Sequence, residues 1–179
     1  MRSSLQEFNE AMLGVMRAGQ RAPFAQRFAM LAPTVDRTFD LDAILRLSVG
    51  PHWASMTPDQ QATLQTTFRQ YTVASFVANF NDYSGQTIEV TPGSRSLSNG
   101  DQVVTTRIAA PGSSPIMLAY VMRQTPSGWK AVDMLADGAI SRVATQRSDF
   151  RSVLSSGGGP ALVASLQSKV AALSGGTLA

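Results

Sequence analysis

The chain of 179 residues has no cysteine, which excludes disulfides, thiolate metal sites and a cysteine nucleophile. Histidine is almost as scarce. His52 stands alone between Pro51 and Trp53, which rules out metal sites needing two histidines and reads as a loop or cap residue. Lysine is limited to Lys130 and Lys169, and the arginines are scattered singly from Arg2 to Arg151. No basic block with interleaved aromatics exists, so there is no nucleic-acid footprint, and the net charge of +3 allows only mild attraction to anionic lipid headgroups. Charged residues make up 15%, against roughly 25% in ordinary soluble domains; Ser, Thr, Gln and Gly fill the gap. No apolar run nears the ~18 residues of a membrane span. The catalytic and phosphate-cradling patterns GxSxG, GxGxxG and GxxxxGK[ST] are all absent, so neither a hydrolase elbow nor a phosphate loop is expected. The opening "MRSSLQEFNEAM" lacks the apolar core of a secretory signal, as expected of a mature exported form carrying a start methionine.

What is present reads as helices, then strands, then helices. "SSLQEFNEAMLGVMRAG" places Leu5, Phe8, Met12, Val15 and Met16 at helical spacing and stops near Gly19. "PFAQRFAMLAPTV" puts Phe24, Phe28 and Leu31 on one stripe ahead of Pro33. Asp40 is a candidate N-cap for a helix carrying Leu41, Ile44 and Leu45, which Gly50-Pro51 ends. Thr57, Pro58 and Gln60 form a capping box that launches a long helix to about Asn81. That helix is apolar on two sides: Leu64, Phe68 and Tyr71 on one, Val73, Phe76, Val77 and Phe80 on the other. One face suffices to join a core, so the second needs a use.

After "DYSGQ" the period changes to two. Strands are expected at Thr87–Thr91, "DQVVTTRIAA", "PIMLAYVMRQ" and "GWKAVDMLA", joined by the turns "SNGD", "PGSSP" and "TPSG". "AISRVATQRSDFRSVLSS" and "PALVASLQSKVAAL" follow as two helices divided by "GGGP". The expectation is a single α+β domain over 1–179, mainly helical over 1–83, with four antiparallel strands over 86–136 and C-terminal helices over 139–173. Alternation sets Met117, Ala119 and Val121 against Ile116, Leu118, Tyr120 and Met122, and Val132 and Met134 against Trp129, Ala131 and Leu135. Both sheet faces are therefore apolar in the middle and need covers, which leaves room for an internal cavity.

Asp133 is the one acid deep in a strand pattern, so it must be paired, hydrogen-bonded or protonated. It reads as the partner of an arginine such as Arg107, Arg123 or Arg147. The alternative is a general base in a greasy pocket, acting with Tyr83 or Tyr120 as in an NTF2-like isomerase or hydratase. Most methionines read as gap-fillers, and Met117 and Met134 suit a cavity taking variable apolar shapes.

From Phe39 to Phe150 the chain resembles the MlaC-like periplasmic lipid carriers, also called the toluene-tolerance auxiliary family of ABC transport systems. The resemblance rests on "ILRLSVGPHWASMTPDQQATLQTTFRQYTV", "DYSGQTIEV", "GWKAVDMLADGAIS" and "QRSDF", in that order. An extra residue between Gly138 and Arg147 is more similar to the hopanoid-associated HpnM branch. The resemblance implies a curved four-stranded antiparallel sheet of NTF2-like or cystatin-like type, wrapped by N-terminal and C-terminal helices around an apolar cavity. It implies a monomeric, non-enzymatic, periplasmic carrier without cofactor, its cargo a phospholipid or hopanoid-type lipid held by the tails. Its partners would be an inner-membrane ABC transporter with its MCE-type protein and an outer-membrane lipoprotein complex. The implied lining is Phe76 and Phe80 from the long helix's second face, with Val104, Ile108, Met117, Val121 and Met134 from one sheet face. Trp53, Phe68, Tyr71, Ala119, Val132 and Ile140 complete it, with Tyr83 near the mouth.

Overall fold

The computed structural model describes residues 1–178. The first helix, α1 (Arg2–Ala18), buries Leu5, Phe8, Met12, Val15 and Met16 and ends at Gly19, whose φ of 60° only glycine adopts freely. α2 (Phe24–Thr38) runs on through Pro33. The carbonyl that Pro33 leaves unbonded belongs to Ala29, an exposed residue, so water can satisfy it. Asp40 caps α3 (Leu41–Val49), its side chain accepting from the Ala43 amide at 3.1 Å. The expected capping box starts α4 (Pro58–Asn79): the Gln60 amide donates to Thr57 Oγ1 at 3.2 Å, and the Thr57 amide to Gln60 Oε1 at 3.1 Å.

The four expected strands form one antiparallel sheet, and two further two-residue strands extend its edges. β1 (Thr87–Val90) and β2 (Arg95–Ser96) lie end to end along the same side of β3 (Gln102–Ala109). β4 (Ile116–Thr125) and β5 (Gly128–Ala136) follow in order, and β6 (Ile140–Ser141) pairs with the end of β5. Residues 140 and 141, expected to open a helix, thus belong to the sheet. α5 (Arg142–Leu173) begins directly after them and bends at Gly158, where φ is 66°. The "GGGP" break therefore falls where the sequence places it. A Cβ on Gly157 would stand 2.5 Å from that of Ala161, so this bend also demands glycine beside it.

The helices pack on one sheet face, over Val104, Tyr120, Met122 and Ala131. The other face holds a smaller cluster of Val103, Ala119, Val121 and Val132, closed by Ala43, Leu97 and Leu135. This corrects the expected lining. Val104 pairs with Tyr120 and Tyr120 with Met134, so these residues and Ile108 share the helix-facing side, while Met117, Ala119 and Val121 point away. A one-residue difference is enough to swap faces. β5 adds a second correction. The register shifts at Val121/Met122, which face Asp133 and Ala131, so Val132 is a bulged extra residue. The bulge breaks the expected alternation and leaves Val132 and Met134 in different clusters.

At the far end of this second face, Arg123 grips Asp101 with two hydrogen bonds of 3.0 and 2.8 Å, and Asn99 donates a third at 2.9 Å. Asp101 is buried. The Arg123 bonds hold its carboxyl below the ordinary range; burial opposes them and the Asn99 bond adds to them. A carboxyl depressed in the native state stabilises the fold fully above its unfolded pKa of about 3.9. That stabilisation is lost as pH falls through the lower native value. We expect Asp101→Asn to be less stable than the parent by about 1–3 kcal/mol at pH 7. In denaturant titrations the gap should close only below about pH 4; a gap that stayed constant into strong acid would contradict this assignment.

Candidate functional site

Four aromatic rings meet where helices and sheet join. Phe8 of α1 lies 5.2 Å from Phe39 and 5.2 Å from Phe76, both edge-on, and 6.3 Å from Tyr120. Phe39 closes the group at 5.6 Å from Phe76 and 6.1 Å from Tyr120. Phe39 sits in the short link between α2 and α3. It is held there by a bridge to Ala131, with the Asp40 amide donating to the Ala131 carbonyl at 2.9 Å. The second apolar face of α4 finds its first use here, since Phe76 delivers a ring to this junction.

Beside the junction runs an apolar cleft between α4, the first turns of α5 and β5. Phe39, Ile44, Phe68, Phe76, Met134 and Val143 form its greasy wall, and Thr72, Gln146, Asp133 and Arg142 add polar atoms. It is narrow, with a cavity volume of about 20 Å³, roughly the room one water needs. Pockets that bury a drug-sized ligand run to about 300–1,000 Å³. Anything larger than water enters only if the walls part.

Asp133 works as a joint. Its carboxylate accepts from the amides of Met134 at 2.7 Å and Val143 at 3.1 Å, and from the Ser141 hydroxyl. Ser141 in turn caps α5, accepting from the Ala144 amide at 3.0 Å. The expected arginine partner is not what holds it; the start of α5 is. A carboxylate suits a helix N-terminus, where amides lack partners and the dipole is positive. From α3 the buried Ser48 hydroxyl donates to the Ile44 carbonyl at 2.8 Å and lies 3.2 Å from the Gln146 side-chain oxygen.

The remaining expected residues scatter. Phe68, Phe76 and Met134 line the cleft. Phe80 and Ile108 line a separate open groove of about 310 Å³ with Met16 and Ile116, at the exit of α4. Tyr83 lies beyond that exit, its ring 5.4 Å from the Arg17 guanidinium. Tyr71 faces Lys169 of α5 at 5.8 Å, and Trp53 sits in the turn before α4 with Arg46 over its ring at 5.6 Å. Val104 is fully buried in the main core. Met117, Ala119, Val121 and Val132 belong to the other side of the sheet, and Ile140 is exposed on its edge strand. The sequence reading missed Phe39, Ile44, Thr72, Arg142, Val143 and Gln146. For Val143 and Gln146 a signal existed, since they sit three apart at the start of a helix that follows the last strand.

Tyr120 is buried among the rings, and burial pushes its phenol well above the ordinary value. It stays neutral. Among the described residues no cluster of His, Asp or Glu is able to hold a metal ion, and no helix is long and apolar enough to cross a membrane.

The Asp133 geometry makes a direct prediction. Asp133→Ala removes the acceptor of all three bonds at once, so α5 loses its side-chain tie to β5. A stability loss of about 1–3 kcal/mol is expected, with amide exchange faster in the first turns of α5 than in its second half. Uniform protection along α5 in the variant would contradict the joint.

Comparison with known proteins agrees with this architecture. No curated protein sequence matches the chain. Among solved structures it is similar to the phospholipid-binding protein from Ralstonia solanacearum, determined in complex with a phospholipid. The TM-score is 0.80 at 22% identity, over 96% of this chain and 97% of that one, so the two share a fold. The family model described as "MlaC protein" matches residues 6–168, nearly the whole described chain, and the chain belongs to the MlaC family.

Proposed function

We propose that this protein is a periplasmic carrier that moves a lipid, a phospholipid or a hopanoid-type lipid, between the inner and outer membranes. The observation that carries the reading is the apolar cleft of Phe39, Ile44, Phe68, Phe76, Met134 and Val143 in a chain of the MlaC family. The solved relative of the same fold holds a phospholipid, which supports lipid as cargo. A pair of ordinary acyl chains has roughly 30 methylenes, and exposing them to water costs on the order of 25 kcal/mol. A cleft walled by aromatic and aliphatic side chains offers them an environment close to that of a bilayer. Transfer between the two is then nearly balanced, whereas free passage through water is not. Loading and unloading therefore take place on docked membrane partners, an inner-membrane ABC transporter with its MCE-type protein and an outer-membrane lipoprotein complex. The carrier acts as a monomer.

The rival reading, an isomerase or hydratase, needs Asp133 as a free base. Its carboxylate already accepts from Met134, Ser141 and Val143, and Tyr83 lies beside Arg17, beyond the exit of α4. The geometry favours the carrier.

Mass spectrometry of lipid carried by the purified protein tests this directly. Near-stoichiometric lipid is expected, and its absence after exposure to bilayers would defeat the reading. Two bulky substitutions then separate cleft from core. Val143→Trp, on the half-buried cleft rim, should cut lipid per protein several-fold with little change in melting. Ala119→Trp, buried in the cluster behind the sheet, should overpack that cluster and cost about 1–3 kcal/mol. Its folded fraction should keep its lipid. Equal loss of lipid in both would point to a different pocket.

A further inference from the structure

Among the described residues, four buried side-chain atoms have no hydrogen-bond partner: Asn9 Nδ2, Arg27 NH1, Thr72 Oγ1 and Thr106 Oγ1. Thr72 is the one that lines the apolar cleft. It is 7% exposed and sits on α4 one turn from Phe68 and one turn from Phe76, both cleft residues. Other hydroxyls of this helix turn back on the backbone: Thr66, Thr67 and Ser75 donate to the carbonyls of Ala62, Thr63 and Tyr71 at 3.2, 2.9 and 2.7 Å. Thr72 has the same option at the Phe68 carbonyl and does not use it. A buried hydroxyl without a partner is destabilising, and valine would fill the same space without that cost. A ligand entering the cleft would meet this open donor.

Such a partner needs an apolar body that fits among Phe39, Phe68, Phe76 and Met134, and an oxygen lone pair partway along it. A fatty-acyl ester has this chemistry, with its carbonyl at the join between tail and polar end. A fused hydrocarbon ring system offers no acceptor within its body. The polar side of the cleft fits the same orientation. Gln146 and half-buried Arg142 lie toward the start of α5, while the aromatic junction marks the inner end. Asp133, the carboxylate on that side, is occupied by its own donors.

The geometry points to Thr72 as the donor that reads an ester carbonyl, making the cargo an acyl-ester lipid. This rests on the carrier reading of the same cleft. The test uses vesicles of dioleoyl-phosphatidylglycerol and of the dialkyl ether lipid with the same headgroup and chains, with lipid per protein measured by native mass spectrometry. Wild type should take the ester over the ether by about 5- to 10-fold, the value of one hydrogen bond. Thr72→Val should melt at or above the wild-type temperature and take both lipids equally, while Thr72→Ser should restore the preference. Equal uptake of both lipids by wild type would overturn the assignment, as would an ester preference that survives in Thr72→Val. So would a hydroxylated triterpenoid taken up more strongly than the ester lipid in a Thr72-dependent way. Uptake of no lipid at all would refute the carrier reading, and the ester assignment with it.

Discussion

The contact of Phe8, Phe39, Phe76 and Tyr120 is the interaction on which the rest of this structure depends. The rings come from α1, from the α2–α3 link, from α4 and from β4, and successive pairs lie 5.2–6.3 Å apart. Aromatic pairs in edge-on geometry contribute about 0.5–1.5 kcal/mol beyond the area they bury. Deleting one such ring from a core costs on the order of 3–5 kcal/mol. The fold therefore concentrates its helix-to-sheet cohesion at one junction. Two of the four rings, Phe39 and Phe76, also form the cleft wall. Cohesion and the proposed binding surface are built from the same side chains.

A single polar arrangement positions the rest of that wall. The bulge at Val132 shifts the register of β5 so that Val121 faces Asp133. Asp133 then binds Ser141 and the Val143 amide at the first turn of α5. This tie adds to the two-residue pairing of β6, the Ser48–Gln146 contact and the packing of Val143 on the core in fixing the start of α5. An acid within a strand looks like a catalytic feature in isolation. Here three donors occupy it, and its work is geometric.

Much of the local structure was legible in the sequence because its causes are local. The Thr57–Gln60 capping box, the Asp40 cap, the stops at Gly19 and Gly50 and the break at Gly158 all depend on residues within a few positions of each other. The four main strands and their order followed from period and turn residues in the same way. The lining was less legible, for a physical reason. Alternation says which residues share a face but not which face meets the helices, and a bulge cancels even the alternation. The expected lining thus puts Met117, Ala119 and Val121 on the wrong side and groups Val132 with Met134. Phe39 shows a different limit. It lies in a link between two helices, and its position is set by β5, more than ninety residues later. No window of sequence contains that information.

The second apolar face of α4 is best understood through the narrowness of the cleft. About 20 Å³ of open space means that Phe68, Phe76, Met134 and Val143 satisfy one another across it. If a lipid chain replaced them as partner, each side chain would exchange one apolar neighbour for another, at little net change in buried area. A rigid preformed cavity of the same size would lack that alternative partner and would hold its contents more tightly. A carrier has to give its cargo up, so walls that pack together serve release as well as uptake. The bend at Gly158 supports such a wall. Beyond it, Leu162, Leu166 and Val170 are fully buried and anchor the second half of α5 in the helical layer. Only the first half, tied at its start by Asp133, faces the cleft. Phe150 and Leu154 anchor the first half in the same core, and the polar joint holds its opening turn. The first turn of α5, with half-buried Arg142 and Val143, is therefore the part of the wall best placed to yield without unfolding the core.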